Sequence, residues 1–174
     1  EIPLRLVGSE MCIRDSFLTA DEQHRLTDVR LLKDYLAQKR NELHDWNEAQ
    51  GQVAELSANR RRLTNIGTFR AFALAYLKNH PDVQQGMTCM VRQMQTTAEG
   101  VPLEIYCFTR TTVWAEYERI QGDIFDYLLA VLPEFGLALY QQPSGSDLRA
   151  GLDSLSTGLA GERRTLRAEA TEPE

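Results

Sequence analysis

VPLEIYCFTRTTVWAEYERIQGDIFDYLLAVLPEFG, residues 101–136, decides the fold. Its opening run alternates. Leu103, Ile105 and Cys107 fall on one side of an extended chain, and Glu104, Tyr106 and Phe108 on the other. After Thr109 the period changes. Val113, Tyr117, Ile120, Ile124, Leu128 and Leu132 recur at spacings of three and four, with a second row at Trp114, Phe125 and Phe135. That pattern predicts a helix from Val113 to Phe135, capped by Thr111 or Thr112 and closed by Gly136 as the C′ residue.

Reading outward, Met87 to Met94 is a second strand-like run. Gln95 to Gly100 is turn-like, and Pro102 adds punctuation, so the two runs form an antiparallel hairpin. Downstream, Leu137 to Gln141 reads as a short strand ended by Pro143-Ser144-Gly145. The order from Met87 is therefore β-β-α-β.

Helices precede it. Thr19 and Glu22 form a capping box. Leu26, Val29, Leu32 and Leu36, with Tyr35 alongside, continue a helical stripe that runs on through Leu43 and Trp46. Gln50 to Asn59 is polar, with Gly51 as a break, and reads as loop or weak helix. Thr68 caps a further helix whose Phe69, Phe72, Ala73, Tyr76 and Leu77 share a face, and Asn79-His80-Pro81 stops it. The predicted class is α+β: a ferredoxin-like split β-α-β sandwich, partial because its first strand is missing, with a helical insertion over 33–59.

The missing strand belongs ahead of Phe17. Residues 1–16 have no clean period. Ile2 to Val7 could be a short strand, but Gly8 to Ser16 (GSEMCIRDS) resembles a translated sequencing-adapter artefact. The expected division is a non-native segment at 1–16, a domain at 17–148 and a disordered tail at 149–174. Met11, Cys12 and Ile13 are expected to lie outside the core. Ile2 to Val7 could still occupy the vacant sheet edge, because an open edge invites pairing.

Composition narrows function. The chain has 174 residues, enough for one real core, and a formal net charge of −6. An acidic chain is a poor general nucleic-acid binder, because phosphate backbones reward Lys and Arg. No apolar run approaches the roughly 20 residues that cross a bilayer. Cys12, Cys89 and Cys107 form no CxxC pair, which suggests reduced thiols.

Catalytic chemistry finds no constellation. His24, His44 and His80 have no ligand spacing, so no metal site is expected. Cys89 and Cys107 lie in paired strands without a partnered base and read as buried thiols. Asp21 and Glu22, and Asp123 and Asp126, lie on solvated helix turns. Asn65-Ile66-Gly67-Thr68 holds a single glycine and makes no phosphate cradle. Tyr106 and Phe108 could stack bases beside Arg60, Arg61 and Arg62, but core or subunit-contact aromatics suit an acidic domain better. The residues alone give an α+β domain with no catalytic, cofactor or metal residue, so a binding, regulatory or assembly module.

Several stretches carry more. RRLTNIGTFRA (61–71), MVRQ (90–93), PLEIY (102–106), IQGDIFD (120–126) and EFGL (134–137) resemble the cytoplasmic domain of MscS-type mechanosensitive channels. LKDYL (32–36) with Asn47 resembles the helical insertion of the miniconductance, YbdG-like branch. The resemblance covers about Phe17 to Leu148. It implies a homoheptamer in the bacterial inner membrane that opens under tension and releases ions and small solutes on hypo-osmotic shock. The domain would form the lower wall of the cytoplasmic vestibule, with no enzyme activity, no cofactor and no nucleic-acid partner. The family's transmembrane helices and small β domain are absent, so no pore residue transfers. Two other classes stand beside this reading: a free-standing ferredoxin-like ligand-binding regulatory module, and a single-stranded RNA binder using Tyr106 and Phe108.

Overall fold

The computed structural model describes the backbone of residues 3–5 and the whole of residues 16–97 and 100–139. Seven elements are named: β1 (Pro3–Arg5), α1 (Ala20–Thr27), α2 (Lys33–Ala49), α3 (Asn65–Lys78), β2 (Met90–Gln93), β3 (Leu103–Phe108) and α4 (Trp114–Val131). The sheet order is β1-β3-β2, and both outer strands are antiparallel to β3. Since β1 and β2 each oppose β3, they run parallel to one another with β3 inserted between them. That is a split β-α-β, the predicted class.

The slot expected to be empty is filled. Pro3, Leu4 and Arg5 pair with Phe108, Cys107 and Tyr106. An unpaired edge of β3 presents a row of amides and carbonyls, and this short segment satisfies them. The vacancy falls at the other end of the motif. Leu137–Leu139 is irregular, not the predicted strand, and Tyr140 and Gln141 lie outside the described residues. The expectations for Met11, Cys12 and Ile13 and for the 149–174 tail also fall outside them.

Leu137 is buried for a different reason. Pro133 cannot continue an α-helix, so α4 tightens into a 3-10 turn over Leu132–Phe135. Gly136 then adopts φ 65°, the left-handed conformation. The Leu137 N–H donates to the Leu132 carbonyl at 3.1 Å and the Gly136 N–H to Pro133 at 3.0 Å. This is a Schellman-type close, in which an apolar residue folds back over the helix end.

The α4 row is as expected from Tyr117 through Ile120, Ile124 and Leu128, all buried. It meets Leu103, Ile105 and Cys107 of β3, Val91 of β2, and Ile66, Phe69, Phe72, Ala73 and Leu77 of α3 in one hydrophobic core. Val113 and Trp114 depart from the expectation. Neither Thr111 nor Thr112 caps α4; Val113 holds the N-cap position with no side-chain bond, and the Thr111 hydroxyl accepts from its N–H at 3.1 Å.

The first predicted helix is two. The Thr19–Glu22 capping box is present. The chain then turns at Asp28, and Val29 is extended at φ −71°, ψ 109°. Thr27, Asp28 and Val29 are weak helix formers in succession. A continuous helix would set Leu26 and Leu32 about 120° apart; the break lets both bury together with Leu36.

Thr64, not Thr68, caps α3, accepting from the Gly67 N–H at 3.2 Å. Thr68 is one turn inside, buried, with its hydroxyl on the Thr64 carbonyl at 2.8 Å. Between α2 and α3, Gly51 at φ 55° opens two short 3-10 turns. Asn47 then clamps the returning chain: its amide nitrogen donates to the Arg61 carbonyl at 3.0 Å and its oxygen accepts from the Arg61 N–H at 2.9 Å.

Candidate functional site

The predicted chemistry residues are spread over different elements. His24 is on α1; His44 is on α2 beside Glu48 at 3.3 Å; His80 follows α3 and accepts from the Asp82 N–H. Among the described residues no group of three His, Cys, Asp or Glu side chains could hold a metal. Cys107 is buried on β3, and burial, with Cys89 nearby, pushes its thiol up to about 12. Cys89 is half-buried, and its thiol is also raised by desolvation. Neither is a thiolate at neutral pH, so neither is armed as a nucleophile.

One member of each acidic pair is engaged by a neighbour. Glu22 is held below the usual carboxylate range by the Thr19 N–H and hydroxyl it caps. Arg119 gathers Glu116 at 2.7 Å, Asp123 at 2.6 Å and Asp82 at 3.7 Å on the exposed side of α4. The first-turn amides of α3 are already taken: Asn65 by the Ser16 carbonyl, Ile66 by the Asn65 side chain, Gly67 by Thr64 and Thr68 by the Thr64 carbonyl. That turn has no free backbone donor for an anion.

What remains is surface. On the sheet face opposite Leu103, Ile105 and Cys107, Arg92 lies directly across from Glu104 and Met90 across from Tyr106. Arg92 donates to the Glu104 carboxylate, which is only 2% exposed. Tyr106 and Phe108 meet edge to face, centroids 5.3 Å apart, and both are half-buried. Their rings pack on each other instead of standing apart as stacking platforms. The cation beside them, Arg92, is already committed to Glu104.

Exposed apolar side chains lie along β2 and at the start of α4. Met90 and Met94 are on and after β2, and Val113 and Trp114, at 63% and 65% exposure, start α4. The Trp114 ring leans on Tyr117 at 5.6 Å and is otherwise open. Large exposed aromatics with a polar handle are the side chains that interfaces favour. The periodicity of α4 had assigned Val113 and Trp114 to its buried rows. A pattern fixes which side chains share a stripe, not how far that stripe extends beyond the partner it packs on.

Residues 70–139 match the family described as "Mechanosensitive ion channel MscS, C-terminal". The matched stretch runs from mid-α3 through the hairpin and α4 to the end of the described chain. The match takes in 70 of the 174 residues, and over that stretch the chain is similar to the C-terminal domain of MscS-type channels. One curated relative is the low conductance mechanosensitive channel YnaI of Escherichia coli (strain K12), 37% identical over 60 residues, which is 34% of this chain. The aligned region spans 18% of that relative's length. The matched family is one of mechanosensitive channels, not of enzymes. No helix among the described residues is long and apolar enough to cross a membrane.

Proposed function

We propose that this chain is the cytoplasmic vestibule portion of a longer mechanosensitive channel, which releases ions and small solutes on hypo-osmotic shock. The observation that carries the reading is the MscS C-terminal match over 70–139, which coincides with the α3, hairpin and α4 core. In this proposal the channel is a homoheptamer in the bacterial inner membrane, with the present domain on the cytoplasmic side. Residues 17–148 form the domain, 1–16 are a non-native segment of which Pro3–Arg5 occupies the vacant sheet edge, and 149–174 are a tail. Exposed Val113, Trp114, Met90 and Met94 support an assembling role, because such side chains gain most by meeting another subunit. The branch within the family, whether YbdG-like or nearer to YnaI, belongs to the same proposal.

The test is to join the domain to the upstream reading frame and express the product in bacteria lacking their own mechanosensitive channels. Survival of hypo-osmotic shock, with tension-gated currents in excised patches, is expected. An upstream frame without apolar spans, or a product that neither protects nor conducts, refutes the proposal.

A further inference from the structure

A cleft of about 330 Å³ lies between α2 and the first half of α3. Tyr35 and Lys39 of α2 form one wall; Arg62, Thr64, Gly67 and Arg70 form the other. Its lining includes three cationic side chains and no carboxylate, in a chain whose net charge is −6. Glu42 stands just outside, holding the Lys39 ammonium at 2.8 Å.

Arg70 is the notable member. Its Nε is shut off from water and has no hydrogen-bond partner. Buried donors are nearly always satisfied, and one on a guanidinium is among the costliest to leave unmet. The basic wall is also held in place. Arg62 donates to the Ser57 hydroxyl at 2.9 Å and its guanidinium lies 3.8 Å from the Phe17 ring centroid. Tyr35 is half-buried, and desolvation raises its hydroxyl above the ordinary value, so it is a donor at neutral pH.

We propose that this cleft is a binding site for a phosphate group of a small metabolite or a lipid headgroup, held by Arg70, Arg62 and Lys39. Guanidinium forks match tetrahedral oxyanions in charge and geometry, which a compact halide cannot exploit. The cleft has room for more than inorganic phosphate, so an ester or a diphosphate fits as well. The α3 amides are internally bonded, so recognition falls to the side chains. The site is independent of the channel reading: it depends on charge and geometry within one chain.

The test is calorimetric titration of the full chain with inorganic pyrophosphate at low ionic strength. Saturable binding is expected. Arg70→Gln and Arg62→Gln should each weaken it by about tenfold or more, since each removes a charge-assisted contact. Arg119→Gln, on the far acidic cluster, should leave it unchanged. No binding, or equal weakening by all three variants, overturns the proposal. Binding that ignores Arg62→Gln and Arg70→Gln overturns it as well, because the anion then sits elsewhere. Should Arg70→Gln fail to fold, exposed Arg62 decides alone. Sedimentation with phosphatidylglycerol vesicles, against phosphatidylcholine vesicles, separates the sources. Pyrophosphate-competed pelleting identifies a lipid headgroup; no pelleting, with pyrophosphate still bound, identifies a soluble metabolite.

Discussion

Ile124→Ala is the most demanding test of the core. Ile124 sits at the centre of α4 with 0% exposure, inside the cluster that joins the helix to the sheet and α3. The substitution deletes three carbon atoms, worth about 2.4 kcal/mol in transfer at ~0.8 per carbon. Neighbours at 0–3% exposure, such as Leu128, Leu132 and Cys107, leave little slack for collapse. A residual void of roughly 50–80 Å³ then adds about 1–2 kcal/mol. The expected loss is about 3–4 kcal/mol of a total near 5–15. Urea melts of the 174-residue chain, followed by circular dichroism, measure it as a shift in midpoint at constant slope. Ile124→Val should lose only about 0.5–1.5 kcal/mol. In the longer channel proposed above, Ile124→Ala should lower the amount of folded protein before it alters conductance. A loss below about 1 kcal/mol would mean that α4 is not clamped as described. Normal assembly with an altered opening tension would mean that α4 transmits the gating signal.

The Gly136→Ala variant should lose about 1 kcal/mol or more, because an L side chain at φ 65° is strained; thermal melts check this. Thr64→Ala removes the α3 cap and should cost about 1 kcal/mol, read the same way. Cys107 gives a pH signature. Its thiol is raised from 9.0 to about 12, so the folded state holds the proton more tightly than the unfolded chain. The stability it contributes is complete below pH 9 and is lost progressively from pH 9 towards 12. The difference between wild type and Cys107→Val in denaturant midpoint should therefore change only across that alkaline window. In a Cys12→Ser background at pH 8, iodoacetamide should modify half-buried Cys89 well before Cys107, and equal rates would refute the assignment.

The parts of the fold legible in sequence are those where burial and period coincide. Leu103, Ile105 and Cys107 alternate, and Tyr117, Ile120, Ile124 and Leu128 follow helical spacing, because each set faces one continuous core. The break at Asp28 is harder to see, since Leu26 through Leu36 satisfy a helical stripe until Leu26 and Leu32 must bury together. Thr64 and Thr68 are both plausible caps four residues apart; the choice depends on Ser16 to Leu18 pairing across Leu63 to Asn65. Leu137 is apolar and buried, which local pattern reads as strand, whereas its burial comes from the helix close at Gly136. The basic cleft is invisible in linear order. Arg70 interrupts an otherwise apolar helix, and its companions Lys39 and Arg62 come from other segments.

The sheet order carries a consequence for folding sequence. β2 and β3 are joined by a short connection, but the Pro3–Phe108 pairing closes a loop of roughly 105 residues. Loop-closure entropy rises with the logarithm of length, so the roughly tenfold longer loop costs about 2 kcal/mol more to close. Three residues of ladder hydrogen bonding repay that only after the hairpin, α3 and α4 have already assembled. β1 is then the last strand to dock and the first to leave. Native-state hydrogen exchange should show the amides along the β1 side of β3 opening at lower free energy than those facing β2, a seam along which the sheet unzips while its core stays closed.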